Sequence, residues 1–168
     1  MRNHLCLIVL CCLMTGCAAR TPVQTNETEP PPIASVDVVK VTPQEATLAP
    51  GESGETLVRL QITNGYHINA NPPSQSYLKA TEIEITPAQG ISTEFITYPD
   101  PLVKQFSFSK TPLKVYEGET SLKVQLKADK TAAAGKHNLS ARLRVQACDE
   151  KVCYAPGALD LILPVNIK

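Results

Sequence analysis

The sequence has no tryptophan, only 3 phenylalanines and 5 tyrosines in 168 residues, and no net charge. The 16 basic residues balance the 16 acidic ones, and they form no basic stripe of the kind that nucleic-acid-binding domains use. We therefore expect no nucleic-acid partner. Three catalytic motifs are also missing, namely a glycine-rich phosphate loop, a His-Glu-x-x-His metal motif and a serine nucleophile elbow. These absences argue against nucleotide hydrolysis, zinc proteolysis and serine hydrolysis.

The first 17 residues, MRNHLCLIVLCCLMTGC, have the pattern of a secretory signal. Arg2 precedes an apolar run from Leu5 to Met14, which is shorter than the ~20 apolar residues of a membrane-spanning helix. The last four residues, MTGC, resemble a bacterial lipobox, in which cleavage precedes a cysteine that then receives lipid. This resemblance predicts a lipoprotein signal peptide at residues 1–16 and lipidation of Cys17. An ordinary signal peptide followed by a coincidental cysteine is the alternative.

The segment that follows, residues 17–35, is polar and contains Pro22 and the run Pro30–Pro32. We interpret it as an extended tether between the lipid and a folded domain. The residue after Cys17 is Ala18, whereas an aspartate there commonly retains such proteins in the inner membrane. The sequence thus predicts a periplasm-facing lipoprotein of the bacterial cell envelope. We expect it in the outer membrane rather than the inner one, attached to the membrane by its lipid anchor only.

Residues 36–168 have the length of one domain, and apolar and polar residues alternate along them. In TSLKVQLK, for example, Leu122, Val124 and Leu126 share one face. Such alternation is typical of half-buried strands, because successive side chains point to opposite faces of a sheet. Similar segments are VDVVKVT, ETLVRLQIT, TEIEIT, ISTEFITY, LKVYE, NLSARLRVQA and ALDLILPVNI. About eight short strands separated by proline, glycine and asparagine turns predict an all-β domain, a β-sandwich.

The folded domain contains one pair of cysteines. Of the six in the sequence, four lie in the predicted signal peptide or directly after it: Cys6, Cys11, Cys12 and Cys17. Cys148 and Cys153 remain, and they can pair with each other or with a partner protein. They are too close in sequence to bridge two sheets, but their spacing fits a hairpin in which Cys148 ends the strand ARLRVQA and Cys153 begins the return. Facing residues of a hairpin come within the ~4.4 to 6.8 Å between Cα atoms that a disulfide needs.

Three interpretations of this pair follow from the residues: a structural bridge, a redox pair and a metal site. A bridge that closes so small a ring stabilises a protein by only ~2 kcal/mol in the chain-entropy estimate, so it is a weak staple. Zinc is disfavoured because only His67 and His137 remain as nitrogen ligands. We expect no metal and no other cofactor. The residues by themselves leave the structural bridge and the redox pair as alternatives.

The region around the pair, VQACDEKVCYAPGALDLILPV, resembles the active-site hairpin of the N-terminal periplasmic domain of the thiol:disulfide interchange protein DsbD. NGYHINANPPSQSYLKATEIEI is similar to an early strand region of that domain, and YPDPLVKQFSFSKTPLKVYEGETSLKVQL to its cap-loop region and the next strand. The resemblance extends over about residues 36–168. It implies an immunoglobulin-like β-sandwich with a cysteine-bearing hairpin, here in a stand-alone lipoprotein form.

The resemblance also implies a site. Cys148 and Cys153 would be a redox pair that passes electrons by thiol-disulfide exchange, and Phe106 or Phe108 would be the aromatic residue of a cap loop that shields them. Three further residues are expected near the pair: Tyr66, His67 and Tyr154. Independently of the resemblance, Asn69 and Asn71 are expected in turns, which asparagine favours.

The sequence therefore leaves two functions open for this domain. The first is a thiol-disulfide exchange module, a component of a protein-disulfide oxidoreductase system, whose partners are a thioredoxin-like donor or client proteins of the envelope. The second is a non-catalytic lipoprotein binding domain in which the Cys148–Cys153 bridge is structural.

Overall fold

The structure is a computed structural model that describes residues 33–168. Cys17, the predicted signal peptide and most of the predicted tether lie outside the described residues. No helix occurs in residues 33–168, and so none that is long and apolar enough to cross a membrane. The strands of this range are β1 (Val39–Pro43), β2 (Ala46–Leu48), β3 (Ser53–Ile62), β4 (His67–Asn69), β5 (Glu82–Ile85), β6 (Ile91–Thr97), β7 (Leu102–Lys104), β8 (Leu113–Tyr116), β9 (Glu119–Ala128), β10 (Gly135–Val145), β11 (Ala147–Cys148) and β12 (Gly157–Ile167).

Two four-stranded sheets contain most of the strand residues and pack face to face as a sandwich. The first has the order β1-β3-β9-β6 and the second the order β2-β12-β10-β5. Neighbouring strands are antiparallel except for β2 and β12, which are parallel. The alternation in the sequence explains the core, because Leu122, Val124 and Leu126 of β9 are fully buried while Lys123 between them is exposed. The predicted all-β, immunoglobulin-like sandwich is confirmed.

A third, smaller sheet has the order β11-β4-β8-β7 and carries the first cysteine of the hairpin. β10 pairs with β12 as far as Val145. After one intervening residue, β11 begins and pairs with β4 instead. In this pairing, Cys148 lies opposite His67. Because the chain changes its partner strand here, Cys148 lies in the third sheet and not in either sheet of the sandwich.

This change of sheet differs from the sequence-based prediction. Cys148 does not end the strand ARLRVQA but the separate strand β11. Both residues of β11 are buried, as are all three residues of β4, so neither strand has the half-exposed alternation of β10. The predicted return is nevertheless present, because Cys153 pairs with Cys148 in an antiparallel bridge.

The buried apolar side chains form two clusters. The larger one fills the sandwich, and the smaller one consists of Leu78, Phe106, Leu113 and Val115. Leu113 and Val115 belong to β8, and Phe106 belongs to the loop between β7 and β8. Cys153 packs against this smaller cluster, so the third sheet and the β7–β8 loop together provide the surroundings of the cysteine pair.

Candidate functional site

Cys148 and Cys153 form a disulfide that closes the turn after β11. Their Cα atoms are 3.9 Å apart, closer than the range expected from the sequence, and the two residues face each other directly in the antiparallel bridge. Cys148 is fully buried, whereas Cys153 is only partly buried. The pair therefore presents one shielded and one accessible cysteine.

The turn between the two cysteines is shaped by the carboxylate of Asp149. One oxygen accepts hydrogen bonds from the backbone N–H groups of Lys151 (2.7 Å) and Val152 (2.8 Å), and the other accepts from the phenol hydroxyl of Tyr154 (2.7 Å). The Tyr154 hydrogen bond is the largest cause that lowers the pKa of Asp149, and the same bond raises the pKa of Tyr154 to about 12. Asp149 is therefore an anion and Tyr154 a neutral donor at neutral pH. This turn has stabilising contacts besides the disulfide.

The base of the hairpin is held by two polar side chains. The buried hydroxyl of Ser35 donates to the carbonyl of Ala155 (2.6 Å) and accepts from the N–H of Ala147 (2.9 Å), so it joins the two arms. The side-chain amide of Gln146 donates to the carbonyl of Tyr154 (3.1 Å), which joins them a second time. These bonds fix the distance between the arms below the disulfide.

Asn69 links the hairpin base to the rest of the third sheet. The sequence predicted it in a turn, but it lies in β4 and is fully buried. Its side-chain amide donates to the side-chain oxygen of Gln146 (3.0 Å) and to the carbonyl of Lys79 (3.2 Å). A buried asparagine needs such partners, and a turn position would not provide them.

Three stacked rings adjoin the cysteine pair. His67, opposite Cys148, stacks on Phe106 with a centroid distance of 4.2 Å, and Phe106 stacks on Phe108 at 5.4 Å. Phe106 is 1% exposed and its cluster packs against Cys153, while Phe108 is 38% exposed. Of the two candidate cap residues, Phe106 is thus the one that lies in the cluster against the cysteine pair.

Few polar contacts attach the β7–β8 loop to its surroundings. The hydroxyl of Ser107 donates to the backbone carbonyl of Glu150, in the turn between the cysteines, at 2.8 Å. Lys104, at the end of β7, forms an ion pair with Glu117, and its ammonium group lies 5.8 Å from the ring centroid of Phe106. Exposed contacts of this kind stabilise little, because water replaces them readily. The loop is therefore held mainly by burial of Phe106.

A groove of about 510 Å³ opens beside the stacked rings. Its walls combine one apolar residue of β7 with charged groups of both signs; the main lining residues are Tyr66, His67, Leu102, Lys104, Glu117 and Glu150. The groove reaches from the edge strand β7 to the turn between the cysteines. It offers room for part of another molecule beside His67 and the turn between the cysteines.

The structure brings the sequence-predicted site residues together at one end of the domain. Besides the residues of the ring stack, Tyr66 and Tyr154 lie with ring centroids 6.1 Å apart. Local sequence patterns give no sign of Ser35, whose partners are far away in the chain, or of Gln146, which bonds to Asn69 and Lys79 as well as to Tyr154. For Asp149 a local signal existed, because aspartate often bonds to backbone N–H groups two and three residues later in a turn.

Among the described residues, no group of three His, Cys, Asp or Glu side chains is arranged to hold a metal.

The chemistry available to this arrangement is thiol-disulfide exchange. A disulfide opens when a thiolate attacks one of its sulfurs in line and displaces the other as a thiolate. Attack requires access, and Cys153 is the cysteine of the pair with exposed surface. The buried Cys148 would be the leaving group of such an attack.

The fold and the disulfide define an immunoglobulin-like sandwich that carries one cysteine pair on a separate small sheet. Residues 35–162 match the family described as "Thiol:disulfide interchange protein DsbD, N-terminal", and the chain belongs to this family. The resemblance inferred from the sequence is thereby confirmed. Family membership and the disulfide together support thiol-disulfide exchange as the general class of function.

Two solved structures are similar to the chain. The N-terminal periplasmic domain of ScsB from Proteus mirabilis is 21% identical, with a TM-score of 0.56, and the match covers 77% of this chain and 47% of that one. The DsbD N-terminal domain of Neisseria meningitidis in the reduced form is 20% identical, with a TM-score of 0.48, over 80% of this chain and 90% of that one. The chain thus aligns with about half of the ScsB domain, and at this identity the likeness concerns the fold. No curated protein sequence matches the chain.

Replacing Tyr154 tests how the turn is held. Tyr154→Phe is expected to raise the pKa of Asp149, because the variant loses the hydrogen bond that lowers it most. Two backbone donors remain, so the pKa should stay below the ordinary value of 3.8. A lowered carboxyl pKa stabilises the fold above the ordinary pKa, and this contribution disappears as the pH falls through the lowered pKa, so the variant should lose it at a higher pH.

The measurement is an NMR titration of the Asp149 carboxyl carbon. Tyr77→Phe is the control, because Tyr77 is exposed and makes no contact with Asp149 in the structure. An Asp149 pKa that is the same in Tyr154→Phe as in the wild type would show that this hydrogen bond does not shape the turn in solution.

Proposed function

We propose that this domain exchanges disulfides with other proteins of the bacterial envelope through Cys148 and Cys153. The observation that carries the proposal is the asymmetry of the pair, in which one cysteine is buried and the other is partly accessible beneath a loop. Exchange requires that a partner thiolate reach one of the two cysteines, and Cys153 is the one that is not fully buried. Membership in the DsbD N-terminal family supports the same conclusion.

In the proposed reaction, a partner thiolate attacks the sulfur of Cys153. A mixed disulfide forms between Cys153 and the partner, the Cys148–Cys153 bond breaks, and Cys148 leaves as a thiolate that takes up a proton. A second thiolate of the partner then attacks the mixed disulfide and releases Cys153, so the domain gains two electrons and the partner becomes a disulfide. In the reverse direction, Cys153 attacks a client disulfide and Cys148 resolves the intermediate, which returns the domain to the oxidised form.

The hairpin is suited to both redox states. The hydrogen bonds of Ser35, Gln146 and Asp149 act on both arms and on the turn, and none of them involves a sulfur atom. When the disulfide is open, these bonds keep the two thiols facing each other. Fixed geometry of this kind favours rapid closure, because the reacting atoms lose little further freedom.

The partner surface in this proposal includes exposed apolar side chains of the segments next to the cysteine pair. Four exposed apolar side chains occur on β7, on the β7–β8 loop and on the turn between the two cysteines: Leu102, Val103, Phe108 and Val152. Exposed apolar groups near a reactive site are typical of surfaces that bind other proteins. We infer that the partner is a thioredoxin-like donor or a client protein that covers this surface while its cysteine reaches Cys153.

Phe106 is the proposed shield of the pair. Its ring is buried in the cluster that packs against Cys153, so a bulky thiol reaches the disulfide only after the loop moves. Phe106→Ala should therefore raise the rate at which dithiothreitol reduces the disulfide by about tenfold or more, since minor open states are commonly populated at 10% or less. The rate is followed by alkylation of the released thiols.

Phe108→Ala is the matched control for this variant. The ring of Phe108 is 38% exposed and does not belong to the buried cluster against Cys153, so its removal should change the rate much less. Equal rates for wild type and Phe106→Ala would mean that Phe106 does not shield the disulfide.

Trapping of partners tests the proposed exchange directly. Cys148→Ser retains the accessible thiol but lacks the one that resolves the mixed disulfide, so it should accumulate disulfide-linked partners in the envelope. Cys153→Ser retains only the buried thiol and should trap far fewer. The adducts are seen on non-reducing gels, disappear on reduction and are identified by mass spectrometry.

Two outcomes would revise the proposal. If neither variant forms adducts in cells where both are folded, the cysteine pair does not exchange with envelope proteins. If Cys153→Ser traps as much as Cys148→Ser, exchange occurs but Cys153 is not the attacking residue. The double variant Cys148→Ser/Cys153→Ser gives the background of the assay.

We also propose that the chain acts in the periplasm and is attached to the outer membrane through lipid on Cys17. The lipobox resemblance of MTGC supports this, as does the description of the ScsB relative as a periplasmic domain. Residues 18–32 then lie between the anchor and the described domain.

Replacement of Cys17 tests this location. The wild-type protein should sediment with outer-membrane vesicles and carry lipid on an N-terminal Cys17, whereas Cys17→Ala should lack the lipid and not be processed at this site. Mass spectrometry of the N-terminal peptide measures both. A soluble wild-type protein without lipid would contradict the anchor and leave the exchange proposal unaffected.

A further inference from the structure

His67 occupies an unusual place for an ionisable side chain. Among residues 33–168, His67 is the one buried side chain of the polar types that can take up a proton; the other four of these types are Ser35, Thr56, Asn69 and Thr81. It is 1% exposed, and its ring forms the surface on which Phe106 lies, at 4.2 Å and with the two ring planes inclined by 21°. Because it also lies opposite Cys148, His67 adjoins both the cap and the cysteine pair.

One ring nitrogen of His67 has no hydrogen-bond partner. Its Nε2 atom is buried and is neither donor nor acceptor in any hydrogen bond of the structure. In a neutral ring with the proton on Nδ1, Nε2 is an unpaired acceptor, whereas in the protonated ring it becomes an unpaired donor that carries part of a positive charge. Burial of an unpaired charged group costs far more free energy than burial of an unpaired neutral one. The closed arrangement therefore accommodates the neutral ring.

The charged groups around His67 come from three elements. Lys104 of β7 disfavours its protonation, while Glu117, which follows β8, and Asp149 and Glu150 of the cysteine turn favour it. Burial is the largest cause and Lys104 the next, and together they lower the pKa of His67 below its ordinary 6.5. The carboxylates do not reverse this direction, in part because Lys104 forms an ion pair with Glu117.

The lowered pKa links cap closure to pH. When the loop lifts, water reaches the ring and its pKa returns toward 6.5, so the open state binds a proton more readily than the closed one. The contribution of His67 to closure is therefore complete above about pH 6.5 and is lost as the pH falls from there through the lower pKa of the closed state.

We propose that His67 is a positioning residue for disulfide exchange: its neutral ring seats Phe106 over the cysteine pair, and its protonation releases Phe106 and opens the site. This inference rests on the proposed exchange function, to which it adds regulation by pH. Thiolates become scarcer as the pH falls, which slows exchange. Cap opening upon acidification counteracts this loss by making the disulfide more accessible.

The test compares rates of disulfide reduction between pH 5.0 and pH 8.0. The protein is oxidised, so its own thiols do not titrate, and tris(2-carboxyethyl)phosphine is the reductant. Each rate is divided by the rate of Phe106→Ala at the same pH, because this uncapped reference cancels the pH dependence of the reductant. The wild-type ratio is expected to be low at pH 8.0 and to rise about threefold or more toward pH 5.0.

Two variants separate titration from packing. His67→Phe retains an aromatic ring for the stack but cannot be protonated, so its ratio should stay low and constant across the range. His137→Gln should behave as the wild type, because His137 lies outside the site and bonds to Gln89 and Ala133. A constant ratio in the wild type would overturn the inference, and so would a His67→Phe ratio that rises as steeply as that of the wild type.

If His67→Phe does not fold, NMR of the wild-type protein tests whether protonation of His67 releases Phe106. The ring protons of His67 should titrate below pH 6.5, and the Phe106 ring signals should shift with the same midpoint toward the values of an exposed phenylalanine. Titration of His67 at or above 6.5, or without any change at Phe106, would overturn the inference. A disulfide that resists the phosphine even in Phe106→Ala would instead contradict the proposed function, while the NMR titration would still test the link between His67 and the cap.

Discussion

The antiparallel pairing of β11 with β4 sets the position of the whole site. It takes the chain away from β12 directly after Val145, so that Cys148 joins a sheet in which its neighbour is His67. The same small sheet includes β8, which supplies two residues of the cluster beneath the β7–β8 loop. The disulfide, the imidazole ring and the β7–β8 loop are therefore close to each other as a consequence of one two-residue strand pairing.

The stability of this site does not depend on one kind of contact. Hydrogen bonds hold the hairpin base and the turn, burial of Phe106 holds the cap, and the disulfide adds roughly 2 kcal/mol at most for so short a ring. The hairpin therefore has contacts that remain when the sulfur–sulfur bond is broken. This combination separates fold stability from redox state, which is what an exchange domain requires, because it must stay folded while its cysteines cycle between two forms.

Much of the architecture was predictable from the sequence, and the limits have physical reasons. Period-two alternation gave the sandwich, and the count of cysteines left Cys148 and Cys153 as the pair of the folded domain. Of the third sheet, β8 was predicted as the segment LKVYE, but β4 and β11 were not predictable from alternation, because all of their residues are buried. Ser35 was also missed, since it bonds to residues 112 and 120 positions away and local patterns carry no trace of such contacts. The choice between Phe106 and Phe108 depended on the path of a loop, which sequence spacing does not define.

The proposed function requires that the Cys148–Cys153 bond be exchangeable. The reduction potential of this disulfide tests that requirement most directly. The protein is equilibrated with glutathione or dithiothreitol buffers of known potential, and the reduced fraction is measured by alkylation and mass spectrometry. We predict a value between about −270 and −180 mV, the range of thioredoxin and protein disulfide isomerase. A value well below about −300 mV, typical of structural disulfides in secreted proteins, would contradict the account.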